Sequence, residues 1–241
     1  MIGFLATESH KDGFERLTDA ARKGGTVLAE GNNERPNDEY WVAFARSMAP
    51  MTGPSAAFLA EVAGAGEGNP QKVLDVAASH GVFGITFAKK NPKAQIVALD
   101  WPAVLEVAKE NAQKGGVADR LTFLPGSAFE VDPGTGYDVV LLTNILHHFD
   151  PPTCEKLLRR MHAALKPGGK VITLEFVPNE DRISPPTAAA FSMIMLALTD
   201  AGDAYTLSEY DKMFRNAGFA KTTLHQIPDM PQQVLVSEKA G

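Results

Sequence analysis

Five short runs rich in Val, Ile and Leu constrain the fold more than any other feature. They are 72-KVLDVA-77, 95-QIVALD-100, 121-LTFL-124, 137-YDVVLLT-143 and 170-KVITLEF-176. Helical stretches lie between them at 82–90, 102–114 and 151–166. Strands that are apolar on both alternate sets of positions are buried on both faces, as a parallel sheet covered by helices requires. The third helix has a clear start, because Asp150 supplies an N-cap and Pro151-Pro152 fill the first turn. It is expected to stop at 166-KPGGK-170, with glycine in the left-handed cap. A last helix, 206-TLSEYDKMFRNAG-218, leads to two further strands at 221–226 and 232–239. The class is α/β, doubly wound.

Ahead of the first strand the pattern is helical. Residues 11-KDGFERLTDAARKGG-25 read as one amphipathic helix closed by Gly24-Gly25. A polar loop, 31-GNNERPND-38, precedes an apolar helical segment over 39–64 that is interrupted at Pro50 and Pro54. The small, polar stretch 64-GAGEGNP-70 is the expected boundary. It separates a helical segment, 1–63, from a ligand-binding domain, 64–241.

The 241 residues carry a net charge of −6 and no Lys/Arg-rich run, so duplex nucleic acid is not an expected partner. No apolar run approaches the ~20 residues that a bilayer span needs, so no membrane is expected either. MIGFLA is followed at once by TESHKD, unlike a signal peptide. The single Cys154 rules out an internal disulfide, and the set fits a reducing cytoplasm.

In doubly wound sheets, ligands bind at the carboxyl ends of the strands. Asp75 lies near the end of the first run, and 77-AASHG-81 forms the turn into the next helix, with Gly81 free to take strained dihedrals. Asp100 closes the second run and could accept hydrogen bonds from both hydroxyls of a ribose. This pattern fits NAD as well as S-adenosylmethionine, and equally a plain helix cap. Two observations favour a nucleoside without a diphosphate. The pyrophosphate turn G-x-G-x-x-G is absent, and the only glycines of 77-AASHGVFG-84 are Gly81 and Gly84. His147 and His148 follow the fourth run, where a histidine is a cap, a core hydrogen-bonder or a general base. Glu175 ends the fifth, either as a surface acid or as an acid at the ligand face. Met and Phe gather at helical spacing around Phe44/Met48/Met51 and Phe191/Met193/Met195, as core or as the wall of a pocket.

From about Leu17 to Val236 the chain resembles the small-molecule O-methyltransferases of the plant caffeate and bacterial hydroxyindole type, in the class I S-adenosylmethionine-dependent fold. The marks are VLDVAASHG, 99-LDWP-102, 125-PGSAF-129, 141-LLTNILHHFD-150, 165-LKPGGKVITLE-175 and 216-NAGF-219. ILHHFD is similar to that family's ILHDW-type motif. The resemblance implies a Rossmann-like, seven-stranded, mostly parallel sheet with an antiparallel C-terminal strand. It also implies an S-adenosyl-L-methionine site without metal, a small aromatic acceptor, and methyl transfer to a hydroxyl.

By the same resemblance, Asp75, Ala77, Ser79 and Gly81 lie against the methionine part and ribose, and Asp100 takes the ribose hydroxyls. Trp101 covers the adenine, and Gly126, Ser127, Ala128, Phe129 and Thr143 complete the cofactor set. His147 matches the family's general base and Glu175 the acid that orients it, with His148 and Phe149 in support. Phe44, Met48, Met51, Met195 and Thr199 are the implied acceptor contacts. The chain departs from the family where Ala77-Ala78-Ser79 replace three glycines, and where Ser127 replaces an Asp. A third departure is the second glutamate, which falls at Ala204 beside Asp203. Relatives carry a longer N-terminal domain that dimerises, so a homodimer is a weaker expectation for this chain. The alternatives are transfer to carbon or nitrogen, a catalytically degenerate S-adenosylmethionine-binding protein, and an NAD-linked oxidoreductase.

Overall fold

The apolar runs become strands that pair in one sheet, because each presents Val, Ile or Leu to both sides and helices cover both. A computed structural model describes residues 8–28 and 38–241; the polar loop expected at 31–38 lies outside them except for Asp38. The strands are β1 (Lys72–Val76), β2 (Gln95–Asp100), β3 (Leu121–Pro125), β4 (Tyr137–Thr143), β5 (Leu165–Glu175), β6 (Phe219–Gln226) and β7 (Gln233–Lys239). Their order is β3-β2-β1-β4-β5-β7-β6. Strands β1 to β5 pair in parallel, whereas β7 runs antiparallel to both β5 and β6. The expected seven-stranded, doubly wound architecture is therefore found.

Before the sheet come α1 (Glu8–Glu15), α2 (Leu17–Lys23), α3 (Asp38–Met48) and α4 (Gly53–Val62). Within and after it come α5 (Val82–Lys90), α6 (Pro102–Gly115), α7 (Pro151–Ala164), α8 (Pro186–Leu198) and α9 (Leu207–Asn216). One face of the sheet packs Leu74, Val76, Val140 and Leu142 against Leu157 and Leu158 of α7 and Tyr210 and Phe214 of α9. The other packs Val73, Ile96, Leu141 and Ile172 against Phe83 and Phe87 of α5 and Ala56 and Leu59 of α4. The helical segment before residue 64 thus shares a core with the sheet.

Two local expectations are corrected. The single helix over 11–25 is two helices that break at Arg16, and only the second ends in the left-handed Gly24 (φ +84°). Likewise α7 does not end in a glycine cap. Leu165 at its C-cap is already extended (ψ 147°), because β5 begins there and pairs with Tyr137. Gly168 (φ +74°) instead serves an irregularity within β5, where the register jumps from Tyr137↔Leu165 to Val139↔Lys170. The N-terminal cap is as expected, with the Thr153 amide donating to the Asp150 carboxylate at 2.9 Å.

Candidate active site

Parallel pairing puts the carboxyl ends of β1 to β5 at one edge. The register sets Val76 beside Leu99 and Leu142, Asp100 beside Pro125, and Thr143 beside Leu174. The turn 77–81, Asp100, 126–129, Thr143 and Glu175 therefore converge, although 100 residues separate Asp75 from Glu175 in sequence.

The turn after β1 is strained. Ala77 (φ 53°) and Ser79 (φ 52°) occupy the left-handed region with side chains present, and Gly81 (φ 72°) follows. Such a conformation costs a non-glycine residue about 1–2 kcal/mol. Backbone anchors hold it: Ala78 N–H donates to Leu99 O at 3.1 Å, Gly81 N–H to Ala78 O at 2.7 Å, and Ser79 N–H to Asp100 Oδ2 at 2.7 Å. Asp100 Oδ1 accepts from Trp101 N–H, also at 2.7 Å, so each carboxylate oxygen carries one amide and keeps a lone pair. Asp75 Oδ2 accepts from Gly84 N–H at 3.0 Å, and its buried Oδ1 has no protein partner. Gly84 permits this approach, since a Cβ there would lie 2.9 Å from Asp75 Oδ2. Gly126 (φ +136°) is required in the same way, because a Cβ would overlap Val131. Ser127 Oγ accepts from Phe129 N–H at 3.2 Å. Trp101, at the N-cap of α6, packs against the small cluster that Ala45 of α3 forms with Val104 and Val107.

Burial pushes Asp75 up to about 7, against the pull of the Gly84 amide and aided by the neighbouring Asp100 charge. Burial also pushes Asp100 up to about 6, opposed by the Ser79 and Trp101 amides. An unfolded aspartate releases its proton near 3.9, so between about pH 4 and 7 the folded protein binds more protons than the unfolded one. Stability from these groups is therefore full below pH 4 and is lost as pH rises through the folded values. Exposed acids held down by partners act in the opposite sense at lower pH; the hydrogen bond from Arg46 does this to Glu110. In the unliganded protein, the urea midpoint is expected to fall from pH 5 to pH 8 and to change much less in Asp75→Asn. A pH slope that the variant shares in full would remove Asp75 as its source.

At the neighbouring strand ends, His147 and Glu175 form a buried pair. His147 Nδ1 lies 2.5 Å from Glu175 Oε2, while Oε1 accepts from the Ile145 and Leu146 amides at 3.1 and 2.9 Å. A carboxylate so engaged accepts a hydrogen bond from Nδ1–H, which fixes the tautomer and leaves Nε2 with a free lone pair. The short turn that carries His147 is braced from below. Cys154 Sγ donates to Leu146 O at 3.1 Å, and the Tyr205 hydroxyl donates to Phe149 O at 2.6 Å. Gly202 packs so closely that a Cβ would overlap the His147 carbonyl. Around the pair stand aromatic rings: Phe191 meets His147 edge-on at 4.8 Å and stacks on Phe176 at 3.9 Å. Trp41 meets His148 edge-on at 5.7 Å and Phe44 at 5.8 Å. Burial, and next the neighbouring His147, hold His148 well below the usual histidine range, so it stays neutral.

The residues expected at the acceptor divide. Phe44 and Met48 lie half-buried on α3, and Met51 is 44% exposed on the turn Ala49–Met51. Met195 and Thr199 are buried. The Thr199 hydroxyl donates to Met195 O and accepts from Gly202 N–H, both at 2.8 Å, so it braces the His147 turn. Asp203 is engaged elsewhere: it pairs with Arg182 at 2.9 Å and caps the Ala204 amide at 2.8 Å. Glu175 is thus the acid bonded to His147. Sequence reasoning missed Trp41, Phe176 and Gly202. Trp41 had a signal, being three and seven residues before Phe44 and Met48 on one helix face. Among the described residues, no group of three His, Cys, Asp or Glu side chains is placed to hold a metal ion, and no helix is long and apolar enough to cross a membrane.

The fold and the sequence have known counterparts. A solved structure from Nostoc punctiforme, assigned as an O-methyltransferase, is 52% identical with a TM-score of 0.94, over 99% of this chain and 72% of that one. The human N-acetylserotonin methyltransferase in complex with S-adenosylmethionine shares the fold at 22% identity and a TM-score of 0.83, over 99% of this chain and 69% of that one. The L-tyrosine C(3)-methyltransferase of Streptomyces lavendulae is 30% identical over 161 residues, 66% of this chain and 44% of that protein. The 3-amino-4-hydroxybenzoate 4-O-methyltransferase of Streptomyces cremeus is 30% identical over 65% of this chain and 42% of its own length. The matched part is therefore less than half of these curated relatives. The O-methyltransferase domain profile matches residues 68–220, well over half of the 241, and the chain belongs to that family.

Proposed function

We propose that this chain transfers a methyl group from S-adenosyl-L-methionine to a hydroxyl of a small aromatic molecule, with His147 as general base. The carrying observation is the buried His147–Glu175 pair, whose imidazole keeps a free lone pair at the ligand edge of the sheet. The residues of that edge fit the methyl donor. Asp75 Oδ1 is a buried acceptor without a protein partner, suited to an ammonium, and Asp100 keeps a lone pair on each oxygen for ribose hydroxyls. Ala77, Ser79, Gly81, Gly126, Ser127, Ala128, Phe129, Trp101 and Thr143 frame the remainder.

When bound, S-adenosylmethionine supplies an electrophilic methyl group whose sulfur leaving group needs no acid. The chain's own work is to place the acceptor and remove its proton. His147 Nε2 takes the proton, and the Glu175 carboxylate 2.5 Å from Nδ1 stabilises the imidazolium. His148 remains neutral and adds no competing charge. Trp41, Phe44, Phe176 and Phe191 offer flat apolar surface to a ring, with Met48 and Met51 at the rim. Transfer to a ring carbon is the second reading, favoured by the likeness to an L-tyrosine C(3)-methyltransferase, and the methyl position in the product separates the two.

The test is a calorimetric titration of S-adenosylhomocysteine into the wild type and Asp100→Ala. Binding is expected to weaken by about tenfold or more in the variant, as loss of a hydrogen-bonded charge predicts. No binding by a folded wild type would overturn the proposal.

A further inference from the structure

One side chain of the strained turn reaches out of the cofactor region into the helical segment before the sheet. His80 is buried, at 4% exposure. Its Nδ1 accepts from the Val82 amide at 3.1 Å, so the ring proton of the neutral imidazole resides on Nε2. Nε2 lies 3.1 Å from Thr52 Oγ1, and that hydroxyl in turn donates to Met48 O at 3.0 Å. The donors and acceptors therefore run in one direction, from Nε2–H to Thr52 and from Thr52 to the last turn of α3. Burial lowers His80 to about 4, so this polarity persists throughout the working pH range. Asn111 Nδ2 donates to the His80 carbonyl at 2.8 Å and fixes the same residue from α6.

Thr52 follows directly on α3 and the turn Ala49–Met51, which carry Phe44, Met48 and Met51 of the implied acceptor wall. It occupies the N-cap of α4. It is not part of the cofactor turn. His80 stands between Ser79 and Gly81, both in the left-handed region, where a backbone without anchors would relax.

We propose that His80 and Thr52 are positioning residues that clamp the cofactor turn to the acceptor wall, so that Thr52 sets the order of residues 77–82, and hence cofactor affinity, from a distance. The affinity part rests on the proposed cofactor; the ordering part does not.

The test compares Thr52→Val, which keeps the shape and removes the hydroxyl, with Thr52→Ser, which keeps the hydroxyl. Amide hydrogen exchange of the unliganded protein over residues 77–82 is expected to accelerate roughly three- to tenfold in the Val variant, in line with one lost hydrogen bond. Calorimetric S-adenosylhomocysteine affinity is expected to weaken by a similar factor, and Thr52→Ser is expected to restore both. A fall in melting temperature with exchange at 77–82 unchanged marks Thr52 as merely structural and overturns the clamp, as does equal damage in the Ser and Val variants. If the wild type binds no S-adenosylhomocysteine, the functional reading fails and the exchange comparison still decides the clamp. In that comparison Thr52→Val is expected to add little in the His80→Ala background, whereas full additivity would show that the two do not act together.

Discussion

His147→Asn is expected to reduce transfer of a labelled methyl group to a phenolic acceptor by about 10²–10⁴-fold, the usual contribution of a positioned general base. Asparagine suits the test because its amide nitrogen stands close to where Nδ1 stands, so it can still donate to Glu175 Oε2. It offers no acceptor at the position of Nε2. Fold and cofactor site are therefore expected to survive, with S-adenosylhomocysteine affinity unchanged in calorimetry. Full activity in the variant would exclude His147 as the base. Loss of affinity together with activity would mean that the residue serves the cofactor side instead.

Glu175→Gln is expected to be nearly as damaging to activity while costing little stability. The glutamine carbonyl can keep accepting from the Ile145 and Leu146 amides, so the buried turn stays satisfied. Its NH₂, however, faces Nδ1 and donates to it, which drives the imidazole proton to Nε2 and blocks the base. The corresponding swap in a serine protease triad lowers turnover about 10⁴-fold through the wrong tautomer. Glu175→Ala acts differently, because it leaves two buried amides unpaired at about 1–3 kcal/mol each. The discriminating result is a Gln variant with near-native melting and poor turnover beside an Ala variant that melts early. A Gln variant with native turnover would sink the tautomer argument.

Much of this site was legible because its residues sit at the ends of strands whose apolar runs are themselves legible. Asp75, Asp100, Thr143 and Glu175 close or nearly close their runs, and parallel pairing does the rest. Periodicity reports which face of a segment is buried but not against what. Trp41, Phe176 and Phe191 come from three elements and meet around two histidines only once the topology is fixed. Gly202 reads as a flexible loop residue, whereas its role is to lack a Cβ beside the His147 carbonyl. The substitution of Ala77 and Ser79 for glycines reads as a loss, yet both adopt the left-handed conformation that glycine would have taken. The end of α7 is illegible in the sequence, since KPGGK looks like a cap and is instead an irregularity in a strand that has already begun.

The placing of α2 and β7 bears on how the molecule is made. On a ribosome α1 and α2 emerge before the sheet, yet the end of α2 is tied to the end of α8: Thr26 N–H donates to Thr199 O at 2.8 Å and its hydroxyl to Ala197 O at 2.6 Å, the latter across 171 residues. That anchor on α8 exists only after residue 199 has been translated. Strand β7 follows the other six in sequence yet takes an interior place between β5 and β6. Until it arrives, β5 presents an open edge, the kind of surface on which nascent chains pair with one another. Strands β1 to β4 can thus pair early, whereas the free edge of β5 is covered only once β7 has been made.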